Sequence, residues 1–323
     1  MSAPSADRTA PTVVTCYSLF DAFMTRCGFT DLTDGMYEGD STRSYEAAQA
    51  RQAEVLLDRA GVCGEFGGRC PPDRPWRVLD IGCGYGRILK AAQARGATAW
   101  GITISPEQVR RNTAAGLNVK LQNYKHLGSE WDGRFDAVIA NGSLEHFAQP
   151  ADAAAGRDDD IYRHLFETVH RLLDPSTPRA KFVTTAIHFR HRPDPATLLS
   201  AKHPRGSEEF HLARVLAEGC GGWYPVAGQL ERCAGEFFRL VHEEDGIEDY
   251  RIGSDDCLAA CTRRIHSLRG LPIWVRAAPL LLRHPVQSAR LYRCVFGSES
   301  WNWQFRGDPP PTVLLRQTWE RVG

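Results

Sequence analysis

The sequence has no excess of charge of either sign: Lys+Arg and Asp+Glu both number 39, so the formal net charge is zero. Bulk charge therefore gives no reason to expect a nucleic acid or an anionic membrane as partner. A long hydrophobic run is missing too, since nothing approaches the roughly 18 consecutive apolar residues of a membrane span, and no integral span is expected. The start, Met1 to Thr12, is small and polar and lacks the charged-then-apolar order of a secretory signal, which points to a cytoplasmic protein with a short loose N-terminus. Metal-ligand spacing is also absent. Ten cysteines are scattered along the chain, and Cys257 and Cys261, four apart, fit one helical face as small core residues; reduced thiols are the expectation. His188, His191, His203 and His211 lie three, twelve and eight apart in an Arg- and Pro-rich stretch and match no familiar ligand pattern, so no metal is expected.

What is present is an ordinary globular composition, 42% hydrophobic and 24% charged, in 323 residues, enough for one large domain or two small ones. Helical spacing of apolar residues over 15–27 and 43–60, with Ser44 available as a cap, predicts two helices before the first strand. Trp76 to Ile81 reads as a strand entering a glycine cluster, and Arg87 to Arg95 as the helix after it. Strands at 97–103, 119–122, 135–141 and 181–187 then alternate with helices at 106–115 and 161–173. The pattern breaks from His188 to about Gly235. Val241 to Ile247 fits a further strand, Leu258 to Leu268 a helix, Trp274 to Phe296 helices interrupted by Pro279 and Pro285, and Thr312 to Trp319 a closing strand. Such alternation predicts an α/β, Rossmann-like doubly wound fold: a seven-stranded, mostly parallel sheet with an N-terminal helical cap and an inserted helical lid. The expected divisions are 1–75 for the cap, 76–187 for a cofactor-binding core, 188–311 for a lid and acceptor-pocket insertion with the remaining core elements, and 312–323 for the closing strand. Ligands of such sheets bind at the carboxyl ends of the strands.

The strongest local signal is Asp80-x-Gly82-x-Gly84-x-Gly86. Glycines there permit a sharp strand-to-helix turn and close backbone approach to a ligand, while Asp80 ends the strand. By itself the loop leaves open any nucleotide-binding turn. Its spacing differs from the dinucleotide pattern G-x-G-x-x-G, and Trp100-Gly101-Ile102-Thr103 carries no acid at the end of the second strand to hold a ribose.

Taken with this loop, Gly101-Ile102-Thr103-Ile104-Ser105-Pro106-Glu107-Gln108, Tyr17-Ser18-Leu19, Met36-Tyr37, Leu121 to Leu127, Gly142-Ser143-Leu144-Glu145-His146-Phe147 and His170-Arg171-Leu172-Leu173 make the chain resemble the cyclopropane-fatty-acid synthase family of S-adenosylmethionine enzymes. That family includes the mycolic-acid methyltransferases. The resemblance implies S-adenosylmethionine as cofactor, with Asp80, Gly82 and Gly84 beside its methionine part and Thr103, Ile104 and Gln108 around ribose and adenine. Asn123 and Tyr124 would read the adenine, Asn141 would join the donor site, and Tyr17 and Tyr37 would close over it as lid residues. Read alone, Gln108 is a solvated first-turn residue and each tyrosine a core aromatic.

Glu145 and His146 follow the fourth strand, and the resemblance makes them, with Tyr17, the catalytic candidates. In the synthases a Glu here belongs to a bicarbonate site, and in related N-methyltransferases a Glu-His pair positions or deprotonates an amine. The plain alternative is a helix-starting Glu followed by a packed His. The sequence departs from the synthase pattern at two places, with Gly35 where the bicarbonate-binding Cys stands and Thr185 in place of a His on the fifth strand. Simple methyl transfer is thus expected rather than ring closure. Gly35, Thr185, Trp223, Tyr224 and Tyr250 are expected on the acceptor side, Trp223-Tyr224-Pro225 resembling an aromatic-Pro element that walls the pocket. The arginines among aliphatics in 274–296 fit either the border of a lipid-like acceptor or a membrane surface, or else a buried helix with snorkelling Arg. The expected function is methyl transfer from S-adenosylmethionine to carbon of a fatty-acyl or isoprenoid-like acceptor. N-methylation of a small amine and donor binding without catalysis are the alternatives. A small-molecule or lipid-like acceptor is the expected partner, with no nucleic acid, and a homodimer is left open.

Overall fold

The computed structural model describes residues 10–29, 31, 33–64, 68, 70–71, 73, 75–200, 202–297 and 300–322. Of the loose start expected for Met1 to Thr12, residues 1–9 lie outside them and residues 10–12 belong to a helix that begins at Ala10. Seven strands, β1 (Arg77–Ile81), β2 (Thr98–Thr103), β3 (Asn118–Leu121), β4 (Ala137–Asn141), β5 (Lys181–Phe189), β6 (Phe238–Asp245) and β7 (Thr312–Arg321), form one sheet in the order β3-β2-β1-β4-β5-β7-β6. β1 to β5 pair parallel, whereas β7 runs antiparallel between β5 and β6. Strand order reverses between β1 and β4, and the crevice above their carboxyl ends is where such a sheet receives a ligand.

Helices α1 (Ala10–Met24) and α2 (Tyr45–Arg59) precede the sheet, and the Ser44 side chain caps α2 by accepting from the Ala47 N–H at 3.2 Å. α3 (Arg87–Ala94), α4 (Pro106–Ala114), the short α5 (Pro150–Ala154) and α6 (Asp158–Leu172) alternate with the first five strands. In α6 the buried Tyr162, Leu165, Phe166, Val169 and Leu172 recur at helical spacing and cover one face of the sheet. Ile88, Leu89 and Ala92 of α3 pack with Leu56 and Leu57 of α2 in a second apolar cluster. Between β5 and β6 lie α7 (Pro195–Leu198), α8 (Glu208–Leu212), a π-helical stretch Ala213–Gly219, and α9 (Gln229–Ala234). After β6 come α10 (Ile247–Ile265), α11 (Leu271–Arg283), α12 (Pro285–Tyr292) and α13 (Ser300–Trp303), and α1 packs on α10, α11 and α12.

Four further expectations are corrected. Cys63 and Cys70 are joined in a disulfide, while the other eight cysteines are free. The turn after α2 brings the two Cα atoms to 4.8 Å, a proximity that linear spacing cannot reveal. The sixth strand starts at Phe238 rather than Val241, and α10 begins at Ile247, well before Leu258. Its buried positions include Gly253, Ser254, Cys257 and Cys261, small residues that leave no apolar periodicity to read. Pro279 does not interrupt α11, because it lies on the exposed side where the carbonyl its ring frees meets water; the break comes at His284 and Pro285. Among the described residues no helix is long and apolar enough to cross a membrane.

Candidate functional site

At the end of β1 the backbone turns through Gly82, Gly84 and Gly86 at φ +77°, +49° and +77°. A Cβ on Gly82 would stand 2.5 Å from Ser143 Cβ, and one on Gly86 2.4 Å from Leu117 Cδ1, so those two glycines are needed for packing. Gly84 differs. Nothing lies within 4 Å of its Cβ position, and the space it leaves is the cavity above the strand ends. The loop is held from both sides, Ser143 Oγ donating to the Ile81 carbonyl at 2.8 Å and Asn112 Nδ2 to the Gly84 carbonyl at 2.8 Å.

The cavity runs outward along the ends of β2 and β3. Thr103 Oγ1 donates to Gln108 Oε1 at 2.5 Å, which occupies the acceptor half of that amide and leaves Nε2 as what Gln108 can offer a ligand. Ile104 lines the wall beside them. Asn123 Oδ1 accepts from the Lys125 N–H at 3.1 Å, and the Tyr124 ring packs on Phe147 with centroids 4.4 Å apart. Asn141, at the end of β4, accepts from Gln52 Nε2 at 3.0 Å. All of these line the one cavity.

Glu145 sits just past β4 in a turn of 3₁₀ helix. Its Oε1 accepts from the Ile187 N–H at 2.9 Å, while Oε2 is buried without a hydrogen-bond partner. Burial pushes its carboxyl up to about 7. Beside it, His146 Nδ1 lies 2.7 Å from the Gly221 carbonyl, which makes Nδ1 the protonated nitrogen, and Nε2 accepts from the Tyr17 hydroxyl at 2.7 Å. Burial holds this imidazole below its usual range and the Tyr17 phenol well above its own, so both are neutral. Tyr224 donates to Gln304 Oε1 at 2.8 Å, and the Tyr250 ring meets Phe305 edge-on at 4.6 Å; both face the cavity. Its outer wall is aliphatic: Val215, Leu216, Leu258, Val295 and Leu314.

Five expected site residues are not brought to the cavity wall. Tyr37 is fully buried, its phenolic oxygen near Gly253 of α10. Gly35 lies against α2, where a Cβ would meet Ala48 Cβ at 2.6 Å, so close packing explains the glycine. Thr185 is buried within β5. Trp223 packs on Phe189 under the Arg192 guanidinium and belongs to the core. Asp80 is buried behind the glycine loop, with Oδ1 lacking a partner and its carboxyl pushed up by burial, and secondarily by Asp31, to about 8.

Other wall residues went unread in the sequence. Asp31 and Asp34 line the cavity from the loop before α2. Asp34 is paired by the fully buried Arg316 of β7 at 3.3 Å, and Arg316 also meets Asp249 at 2.9 Å and Glu244 at 3.1 Å. Gln52 ties this cluster to the cavity floor, donating to Asp34 Oδ1 and Asn141 Oδ1. An arginine inside the buried run Val313 to Thr318 was the available signal. The π-helical stretch, which supplies Val215 and Leu216, had none. His188 is buried, donating from Nδ1 to the Ala186 carbonyl, and no group of three metal-ligating side chains is found among the described residues.

The model of a family described as "Methyltransferase domain" matches residues 46–205, from α2 through β5 and beyond. That span is 160 of the 323 residues, just under half of the chain. The matched span holds the glycine loop, Thr103 to Gln108, Asn123, Asn141 and Glu145. The chain is 34% identical over 131 residues to a Pseudomonas putida protein named "Probable fatty acid methyltransferase", covering 36% of this chain and 32% of that one. It is 32% identical over 152 residues to tuberculostearic acid methyltransferase of Mycobacterium tuberculosis, covering 45% and 30%. The matches thus span about a third of these relatives' length. In three dimensions it superposes on a mycolic acid cyclopropane synthase solved with SAH and CTAB, with a TM-score of 0.68 and 20% identity over 98% of this chain and 100% of that one. The fold is that of the class I methyltransferases, an open seven-stranded, mostly parallel sheet with flanking helices.

Proposed function

We propose that the protein is an S-adenosylmethionine-dependent methyltransferase acting on a carbon of a hydrophobic, fatty-acyl or isoprenoid-like acceptor. The donor supplies an electrophilic methyl group on a cationic sulfur. Two features of the chain fit such a ligand: the open space over Gly84, and the buried carboxyl of Asp80 behind the glycine loop, with an oxygen that no described residue satisfies. Gly82 and Gly84 pass the methionine part, Gln108 Nε2 and Thr103 the ribose side, and Asn123 and Tyr124 the adenine. The names of the relatives and the aliphatic outer wall support the acceptor class.

One observation carries the chemistry: Glu145 Oε2 stands buried and unpartnered in a cavity whose far wall is apolar. As a carboxylate it offsets the positive charge left on an unsaturated acceptor that has gained a methyl, and it takes the proton whose bonding pair then closes a double bond. His146 holds the Tyr17 hydroxyl, and Tyr17 helps keep water from the reacting centre. With both ring nitrogens engaged, His146 is not free to deprotonate an amine, which disfavours N-methylation.

The test is mass spectrometry of lipid extracts incubated with the protein and isotopically labelled methyl donor, where gain of one labelled methyl is expected. Glu145→Gln should lose kcat by about 10²-fold or more while calorimetric donor affinity stays within about twofold. Donor binding with no turnover in lipid, isoprenoid or amine pools would leave a binding protein instead.

A further inference from the structure

The zero net charge hides a segment of one sign. From Cys257 to Ser298 there is no Asp or Glu, and seven arginines fall between Arg263 and Arg293. Four of them, Arg269, Arg276, Arg283 and Arg290, recur at seven-residue intervals and are exposed, and their guanidinium groups make no ion pair or hydrogen bond with any described residue. Beside them lies an apolar stripe. At roughly 100° per residue Leu271, Val275 and Leu282 fall within about 40° of one another on α11. They are 63%, 64% and 80% exposed, opposite the buried Ile273 and Ala277. Leu268 in the turn before, 95% exposed, and Val286 at the start of α12 extend the stripe. A contiguous row of exposed aliphatics flanked by arginines without partners is the pattern of an interfacial helix, with its aliphatics below the headgroups and its guanidinia among the phosphates.

We propose that the α11–α12 hairpin docks the protein on an anionic lipid bilayer and that the groove behind it leads an acyl chain to the cavity. Charge complementarity selects this occupant. A second copy meeting the same face across a two-fold axis would bring arginine against arginine. The groove lies between α1 and the hairpin, walled by Leu19, Phe23, Trp274, Leu281 and Leu291, and Phe20 lines both it and the main cavity. The docking rests on the hairpin alone, whereas the passage of an acyl chain rests on the acceptor proposed above.

The full chain is sedimented with vesicles of phosphatidylglycerol and phosphatidylcholine, and with phosphatidylcholine alone, at low and high salt. Binding is expected to the anionic vesicles only and to fall with salt. Arg276→Gln with Arg283→Gln should weaken it roughly 30-fold, each arginine accounting for about fivefold. Leu271→Glu with Val275→Glu should weaken it at least about tenfold while the melting temperature and turnover of detergent-dispersed acceptor hold. Equal binding to neutral vesicles, no binding at all, or a dimer that the Leu271→Glu, Val275→Glu variant converts to monomer would overturn the docking. Binding to anionic vesicles without methylation of any lipid would remove the acceptor reading and leave the docking; turnover of dispersed lipid without vesicle binding would do the reverse.

Discussion

Asp80 and Glu145 are carboxyls that the fold keeps largely or half protonated near neutral pH, because each is buried with an oxygen lacking a partner. A cation bound over the glycine loop favours the ionised form of Asp80, so donor binding should expel a proton. With the Asp80 carboxyl at about 8, affinity should rise between pH 6 and 8 and level off above. Calorimetry at pH 7 in phosphate and in Tris should show a buffer-dependent enthalpy equivalent to about one proton, most of it lost in Asp80→Asn. Identical enthalpies would exclude this linkage. The stability of the ligand-free protein carries the same sign. A carboxyl raised from about 4 when unfolded to about 8 when folded loses its stabilising contribution as pH climbs through that window, so Asp80→Asn should gain on the wild type in chemical denaturation at pH 8 and not at pH 4. Turnover should follow Glu145 and rise through about pH 7 as the carboxylate forms.

The glycine loop shows how one short element serves two ends. Gly82→Ala forces a side chain into a left-handed backbone and against Ser143, and should cost about 2–3 kcal/mol in urea denaturation. Gly84→Ala bears only the backbone cost, about 1 kcal/mol, because its methyl group enters open cavity; its loss should appear as at least tenfold weaker donor affinity by calorimetry. Equal stability losses with equal affinities would contradict this division. The strand, loop and helix here were legible in sequence because apolar run, glycines and helical spacing follow one another locally. α10 was not, since all but one of the residues it buries are small and its place is set by Tyr45 and the loop before α2 rather than by its own pattern.

Across the whole molecule, Arg316 connects three regions far apart in sequence: Asp34 and Gly35 before α2, Glu244 of β6, and Asp249 of α10. Removing one member of such a buried cluster leaves charges unpaired, so Arg316→Met should destabilise by about 3–5 kcal/mol in denaturant titration. Gln52 bridges Asp34 to Asn141, so the same variant should also weaken donor binding. Unchanged affinity in the folded variant would separate the cluster from the site.

The amino-acid order by itself determined the alternating fold and the glycine turn, because these depend on neighbours a few positions apart; the residues around the turn were named by family resemblance. Tyr17, Gln108, Asn123, Asn141, Glu145 and His146 all meet at one cavity. What only the tertiary structure decided were contacts between distant segments. These took Gly35, Tyr37, Asp80, Thr185 and Trp223 off the cavity wall, joined Cys63 to Cys70, and engaged both nitrogens of His146. A one-dimensional pattern records which face of an element is apolar; what that face meets, and whether a buried charge finds its partner, depends on where the rest of the chain comes to lie.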